Sequence, residues 1–313
     1  MKKHKDGRSE KSVLIKKDIQ RNYSLYLLVI PVLLWYAYFC YKPMYGILMA
    51  FQNFNFRRGI WGSDWVGVEN FIRFFSDPYF VRNIVNTINI SFTDIIFGFP
   101  MPILFALLIN EIPSKKFAKV TQTITYMPHF VSLVVICGMI KSFVGADGII
   151  TNIVSTISGN TIEESLLNNA SLYVPIHVLS GIWQELGWNS IIYLAALSGV
   201  DESLYEAAEI DGANRFKQIL HITIPSIVPV IITMLILRLG SVLSVGYEKV
   251  MLLTNSFNAV RSEILSYYTY KVGILGGEYS LSTAAGLFNS VINCVFIFAA
   301  NAISRKVSET SLW

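Results

Sequence analysis

Charge is scarce in this chain of 313 residues: Asp, Glu, Lys and Arg make up only 15% of it, against 53% apolar residues. That balance lies far from soluble globular averages in the membrane direction, and a mean hydropathy of +0.49 points the same way. The composition is that of a polytopic membrane protein. The net charge of +4 is small, and it collects at the N-terminus and in short loops instead of forming a patch, so no nucleic acid partner is expected. The three cysteines, Cys40, Cys137 and Cys294, each sit in an apolar run without metal-ligand spacing. They are expected to pack as small hydrophobes, with no metal site. Neither H-E-x-x-H nor G-x-S-x-G occurs, which argues against an integral membrane enzyme. The phosphate loop G-x-x-x-x-G-K-[ST] is missing too, since Gly273-Ile274-Leu275-Gly276-Gly277 has no following Lys. The chain is therefore expected to bind no cofactor, and any ATP and Mg2+ would be used by a partner. No internal inverted symmetry is evident, which disfavours an ion-coupled carrier working alone.

What the chain does have is apolar runs of membrane length. A basic, polar segment from Met1 to Arg21 precedes the first run, and no small-residue cleavage site ends that run, so an uncleaved signal anchor is expected. Spans of roughly 20 residues are placed at Tyr26 to Tyr45, Ile84 to Asn110, Val120 to Phe143, Leu172 to Leu197, Ile222 to Val245 and Thr283 to Ile303. This gives an all-α membrane protein with six transmembrane helices. It divides into a basic segment 1–21, a transmembrane domain 22–304 and a tail 305–313. Lys115, Lys116, Lys119, Arg215, Lys217, Arg305 and Lys306 share the side of the basic N-terminus, while Gly145 to Ser171 contains no Lys or Arg. By the positive-inside bias both termini and the loop 201–225 are cytoplasmic. The first loop, with Arg57, Arg58, Arg73 and Arg82, runs against that bias.

Between two of these spans stands Glu206-Ala207-Ala208-Glu209-Ile210-Asp211-Gly212, running on to Ile222-Thr223-Ile224-Pro225. Ala207, Ala208 and Gly212 remove side-chain bulk so that another protein surface can approach, while Glu206 and Asp211 leave charges for that contact. The segment resembles the E-A-A loop of importer-type ABC permeases, whose pattern is E-A-A, three residues, Gly, nine residues, Ile, one residue, Leu-Pro. The spacing agrees throughout, and Ile224 replaces the usual Leu. The resemblance implies a type I ABC importer permease fold with a cytoplasmic coupling helix. It also implies a second homologous permease subunit, two cytoplasmic ATPase subunits and an extracellular solute-binding protein as partners, besides the lipid bilayer. Glu206, Ala207, Ala208, Asp211, Gly212 and Pro225 would then form the ATPase-coupling site.

The stretch Trp61 to Thr87 interleaves Phe71, Phe74, Phe75, Tyr79 and Phe80 with Glu69, Arg73, Asp77 and Arg82, and is expected to lie along the outer membrane face. Its strings Trp65-Val66-Gly67-Val68-Glu69-Asn70-Phe71, Asp77-Pro78-Tyr79-Phe80 and Asn86-Thr87 are similar to the segment before the second span of sugar-importing ABC permeases. Pro43-Met44-Tyr45-Gly46-Ile47 through Ala50-Phe51 resembles the lipoprotein-type and alginate-type subgroup within the maltose-transporter-like superfamily. That resemblance implies import of oligosaccharides or polysaccharide fragments across the bacterial cell membrane, with another polar solute as the alternative. Prolines 31, 100, 102, 128, 175, 225 and 229 fall inside spans, where each can bend its helix.

Polar groups within spans tend to face the bundle interior, so they are the candidates for a solute path. The richest set is Trp183, Gln184, Glu185, Trp188, Asn189 and Tyr193 in the fourth span; Asn89, Asp94, His129, Asn289 and Asn293 are further candidates. Indole faces stack on sugar rings and amides bind hydroxyls, which suits a neutral, hydroxyl-rich solute. The alternative to a solute role is that Trp183 and Trp188 anchor at an interface and that Glu185 simply pairs with Lys141 or Arg238.

Overall fold

The computed structural model describes residues 17–307. Most of the expected basic N-terminal segment and residues 308–313 of the expected tail lie outside the described residues. The chain is mostly helical, and its helices follow in the order α1 (Tyr23–Phe51), α2 (Glu69–Phe75), α3 (Phe80–Asn110), α4 (Lys115–Phe130), α5 (Leu133–Phe143) and α6 (Ile149–Ser158). Then come α7 (Tyr173–Leu197), α8 (Glu202–Ile210), α9 (Arg215–Leu239), α10 (Tyr247–Leu253), α11 (Leu265–Tyr270) and α12 (Tyr279–Val307). Two short strands, β1 (Gln52–Asn53) and β2 (Asp64–Trp65), pair antiparallel with Gln52 opposite Trp65.

Among the described residues, α1, α3, α9 and α12 are each long and apolar enough to cross a membrane, and α4 with α5 adds a fifth crossing if the bent pair is one span. The fourth expected span, α7, has 25 residues but is not in that group, because Gln184, Glu185 and Asn189 interrupt its apolar sequence. The third expected span is not one straight helix: α4 and α5 meet at 100°. Pro128 lies in a tight 3-10 turn at Met127–Phe130, Val131 is extended, and the Ser132 hydroxyl accepts the Val135 N–H to start the next helix. Three other prolines have a different effect. Pro43, Pro100 and Pro225 each follow a π-helical turn, at Tyr36–Tyr41, Asp94–Gly98 and Ile219–Thr223, which contains the residue four positions earlier. A proline has no N–H for that carbonyl and its ring clashes with it, so widening the preceding turn relieves both problems without breaking the helix.

The core lies between helices, not at the middle of each span. Ile136, Cys137, Ile140, Tyr173, Val178, Val250 and Ile264 join α5, α7, α10 and the start of α11. A second cluster of Phe74, Leu265, Tyr268, Leu281 and Ala285 seats α2 on α11 and α12. Thus the stretch Trp61 to Thr87 does not lie wholly on a lipid face: Phe74 is fully buried, while Trp61, Phe75 and Tyr79 remain exposed. Asn70 donates to the carbonyls of Ala50 and Gln52, both at 3.0 Å, closing the end of α1. Asn86 donates to the carbonyls of Val260 and Glu263, and Thr87 Oγ1 accepts the Leu265 N–H, so this pair fastens α3 to the segment before α11. A third cluster, Ala106, Leu107, Tyr193, Leu197 and Ile227, joins α3, α7 and α9. The cysteines are all free; Cys137 is buried, whereas Cys40 and Cys294 are exposed. No residue of Tyr23–Trp35 is buried, so the first half of α1 stands clear of the bundle.

Candidate functional site

A cavity of about 1020 Å³ opens between α3, α7, α9 and α10. Gln184, Glu185, Trp188, Asn189 and Tyr193 recur at helical spacing, which puts them on one stripe of α7, and all five line the cavity together with Asp94 of α3. The remaining sequence candidates lie elsewhere. Trp183 stands beside the stripe and is half-exposed, Asn89 is exposed on α3, and neither lines the cavity. Asn289 on α12 has its side-chain oxygen buried with no hydrogen-bond partner among the described residues. Asn293 accepts the Leu243 N–H at 3.0 Å and donates to Ser244 Oγ at 2.8 Å, a clamp on the turn after α9.

Glu185 pairs with neither Lys141 nor Arg238. Its carboxylate meets His129 Nδ1 at 2.8 Å, and the His129 ring lies flat on the Trp188 indole with centroids 4.3 Å apart and planes 4° from parallel. The break at Pro128 makes this possible, because it turns His129 off the line of α4 and onto α7. One face of Trp188 is therefore occupied by the protein itself. Arg238 of α9 instead forms an ion pair with Asp94 of α3. Gly98, one turn beyond Asp94, has no Cβ and leaves the space that this carboxylate fills.

Sequence reasoning missed part of the wall. Lys249 of α10 lines the cavity and its ammonium donates to the main-chain carbonyl of His177 at 2.9 Å. Ser91, Ser241 and Ser244 add hydroxyls. Lys249 reads as a loop lysine in sequence, and only the packing of α10 on α5 and its bond to His177 of α7 bring it inside. With both charge signs, amides, hydroxyls and an indole, the wall can hold a solute rich in hydroxyls at many points. Among the described residues, no three His, Cys, Asp or Glu side chains converge as a metal site would need.

The segment around α8 is a separate, exposed feature. Asp201 starts the helix by accepting the Ser203 N–H at 2.9 Å, and that bond holds its carboxyl below the ordinary carboxylate range. At the other end Gly212 adopts φ +76, and the Ala213 N–H closes back on the Ala208 carbonyl at 2.8 Å. A left-handed residue here ends the helix without strain only if it is glycine or a tolerant residue such as asparagine. Gly212 thus has a backbone reason to be glycine, apart from any need for close approach by a partner. Tyr205 Oη lies 3.0 Å from Thr223 Oγ1, tying α8 to the π-helical turn of α9. Asn214 accepts the Lys217 N–H at 2.9 Å, and Arg215 pairs with Glu111 at 3.3 Å. Glu206, Ala207, Asp211, Gly212 and Pro225 are exposed and Ala208 is half-buried, with Leu204, Ile210 and Phe216 exposed around them.

Residues 82–309 match the family described as binding-protein-dependent transport system inner membrane component. The chain is 43% identical to protein LplB of Bacillus subtilis (strain 168), over 94% of this chain and 92% of that one. It is 40% identical to the polygalacturonan/rhamnogalacturonan transport system permease protein YteP of the same organism, over 96% and 93%. Among solved structures it is similar to a chain of the bacterial alginate ABC transporter in complex with an alginate pentasaccharide-bound periplasmic protein. There the TM-score is 0.85 and the identity 39%, covering 95% of this chain and 99% of that one.

Proposed function

Because the chain belongs to the family of binding-protein-dependent transport system inner membrane components, we propose that it forms the path by which an ATP-driven importer moves oligosaccharides or polysaccharide fragments across the membrane. It is a membrane protein and a transporter component, with ATP hydrolysis on separate subunits. The observation that carries the sugar reading is the α7 stripe of Gln184, Glu185, Trp188 and Asn189 facing a cavity of about 1020 Å³. Named relatives that move polygalacturonan, rhamnogalacturonan and alginate support it.

The transmembrane domain 22–304 holds six spans when α7 and the bent pair of α4 and α5 are each counted as one. The polar interruption of α7 fits a helix that lines a cavity, where such groups are tolerated. Both termini and the loop 201–225 are cytoplasmic in this reading. Glu206, Ala207, Ala208, Asp211 and Gly212 enter a cleft of one of two ATPase subunits, which use ATP and Mg2+, and Pro225 sets the start of the following span. Closure of the ATPases then rocks the spans and exposes the cavity to alternate sides, through contacts that differ between the two states. A second homologous permease and the lipid share the bare surface of α1. An extracellular binding protein delivers the solute, as the periplasmic protein of the alginate transporter suggests.

The test is uptake of labelled oligosaccharides by vesicles holding this chain with its partner subunits. ATP-dependent uptake that requires the binding protein supports the reading. Equal uptake without ATP, or by this chain reconstituted alone, refutes it.

A further inference from the structure

Resting on the oligosaccharide reading above, we infer that His129 is a positioning residue for the solute: pinned by Glu185, it stacks behind Trp188 and leaves the opposite indole face as the cavity's platform for one sugar ring. Trp188 lines the cavity and is 43% exposed, whereas His129 is not part of the lining. The imidazole covers one indole face, with centroids 4.3 Å apart and planes 4° from parallel. Phe130 meets the same indole edge-on, its centroid 5.8 Å away and its plane at 84°. No further ring stacks on Trp188 among the described residues, so the second face is open to a ligand.

Each contact removes a different freedom. An ionised carboxylate only accepts, so the 2.8 Å contact with Glu185 puts a hydrogen on His129 Nδ1 and sets how the ring is turned. Glu185 and Trp188 stand three residues apart, on one face of α7. One helix therefore holds both the anchor of His129 and the indole that His129 backs. The tight turn at Met127–Phe130 brings two successive rings against that indole. A half-exposed indole without such backing samples several rotamers, and ordering it on binding costs affinity that a fixed one keeps. Sugar rings carry C–H groups on their faces and hydroxyls at their rim. A platform of fixed tilt takes the face and leaves the rim hydroxyls to the amides of Gln184 and Asn189. Of the three linked side chains, Trp188 touches the sugar, and His129 and Glu185 act through it.

The experiment labels the complete transporter with fluorotryptophan, assigns the Trp188 fluorine resonance by its loss in Trp188→Phe, and titrates trigalacturonate, maltotriose and arabinotriose in turn. In the wild type that resonance is expected to be narrow and to shift with at least one of the three sugars. His129→Ala removes both the ring and its tether. It should move and broaden the resonance and weaken binding of that sugar by about three- to tenfold, the cost of ordering one side chain. His129→Phe restores a ring behind the indole and should recover most of the affinity, whereas His129→Asn keeps a donor for Glu185 without a ring and should not. No shift with any of the three sugars, a His129→Ala variant that binds as the wild type does, or equal losses in the Phe and Asn variants overturns the inference. Should the His129 variants not assemble, the width of the Trp188 resonance in two others decides. Glu185→Gln keeps an acceptor for Nδ1 and should leave it narrow, Glu185→Leu should broaden it, and equal widths contradict the tether. ATP-driven uptake of a sugar that leaves the Trp188 resonance unmoved removes this inference and leaves the permease reading standing. Absence of ATP-driven uptake for every oligosaccharide offered removes the permease reading itself.

Discussion

Gly187 of α7 faces the main-chain carbonyl of Thr125 in α4 so closely that no Cβ fits between them. This is the crossing that brings His129 onto Trp188 and Glu185, so one missing side chain sets the geometry of a cavity wall. Gly187→Val forces the helices apart, and overpacking of this kind costs about 1–3 kcal/mol. The purified complex should melt at a lower temperature, and fluorescence of the Trp188 environment should change. An unchanged melting temperature contradicts the close crossing.

The ion pair of Asp94 and Arg238 joins α3 to α9 at the cavity. Breaking such a pair from one side leaves the other charge without a partner, which is more damaging than removing both. Asp94→Asn and Arg238→Gln should each lower the melting temperature, and the double variant should lose less than the two single losses added. Strict additivity in that double-mutant cycle would show that the two side chains are not coupled.

Gly212 separates two explanations of one residue. Its left-handed backbone needs glycine or a tolerant substitute, and nothing within 4 Å among the described residues opposes a Cβ. Asparagine accepts that backbone but adds bulk, whereas leucine accepts neither condition. If only the helix end matters, Gly212→Asn should keep stimulated ATPase activity and Gly212→Leu should lose it. If a docked ATPase also needs the space, as proposed, both variants should be impaired, with leucine the worse. Full activity of Gly212→Leu contradicts both.

Orientation is checked by replacing Glu206 with Cys after the native cysteines are removed. In intact cells a membrane-impermeant maleimide should leave position 206 unlabelled, and permeabilisation should expose it. External labelling overturns the cytoplasmic placement of α8 and with it the coupling role.

The apolar runs were legible because a bilayer demands length and little else, and α1, α3, α9 and α12 meet that demand. The motif around Glu206 was legible because small residues and charges at fixed spacing stand out between apolar segments. What sequence could not convey was angle. Pro100, Pro128 and Pro225 all signal a disturbed helix, yet Pro100 and Pro225 each follow a widened turn while Pro128 precedes a bend of 100°, a difference set by whether the following residues can restart the helix. All five residues of the α7 stripe stood out as polar or aromatic residues within a span, and Gln184, Glu185, Trp188, Asn189 and Tyr193 share one wall, whereas Trp183 beside them does not. Lys249 and the clamp made by Asn293 depend on long-range packing, which no local spacing encodes.

The central claim is that α8 couples an ATPase to a solute cavity, and ATPase activity stimulated by the solute-loaded binding protein tests it most directly. The measurement compares wild type with Glu206→Ala at equal concentrations of assembled complex in vesicles, with oligosaccharide uptake followed alongside. Loss of a charge-assisted contact should weaken engagement by about tenfold or more, so stimulated ATPase and uptake should fall together while membrane insertion and abundance stay near wild type. Full stimulated ATPase and full uptake in Glu206→Ala would contradict the claim.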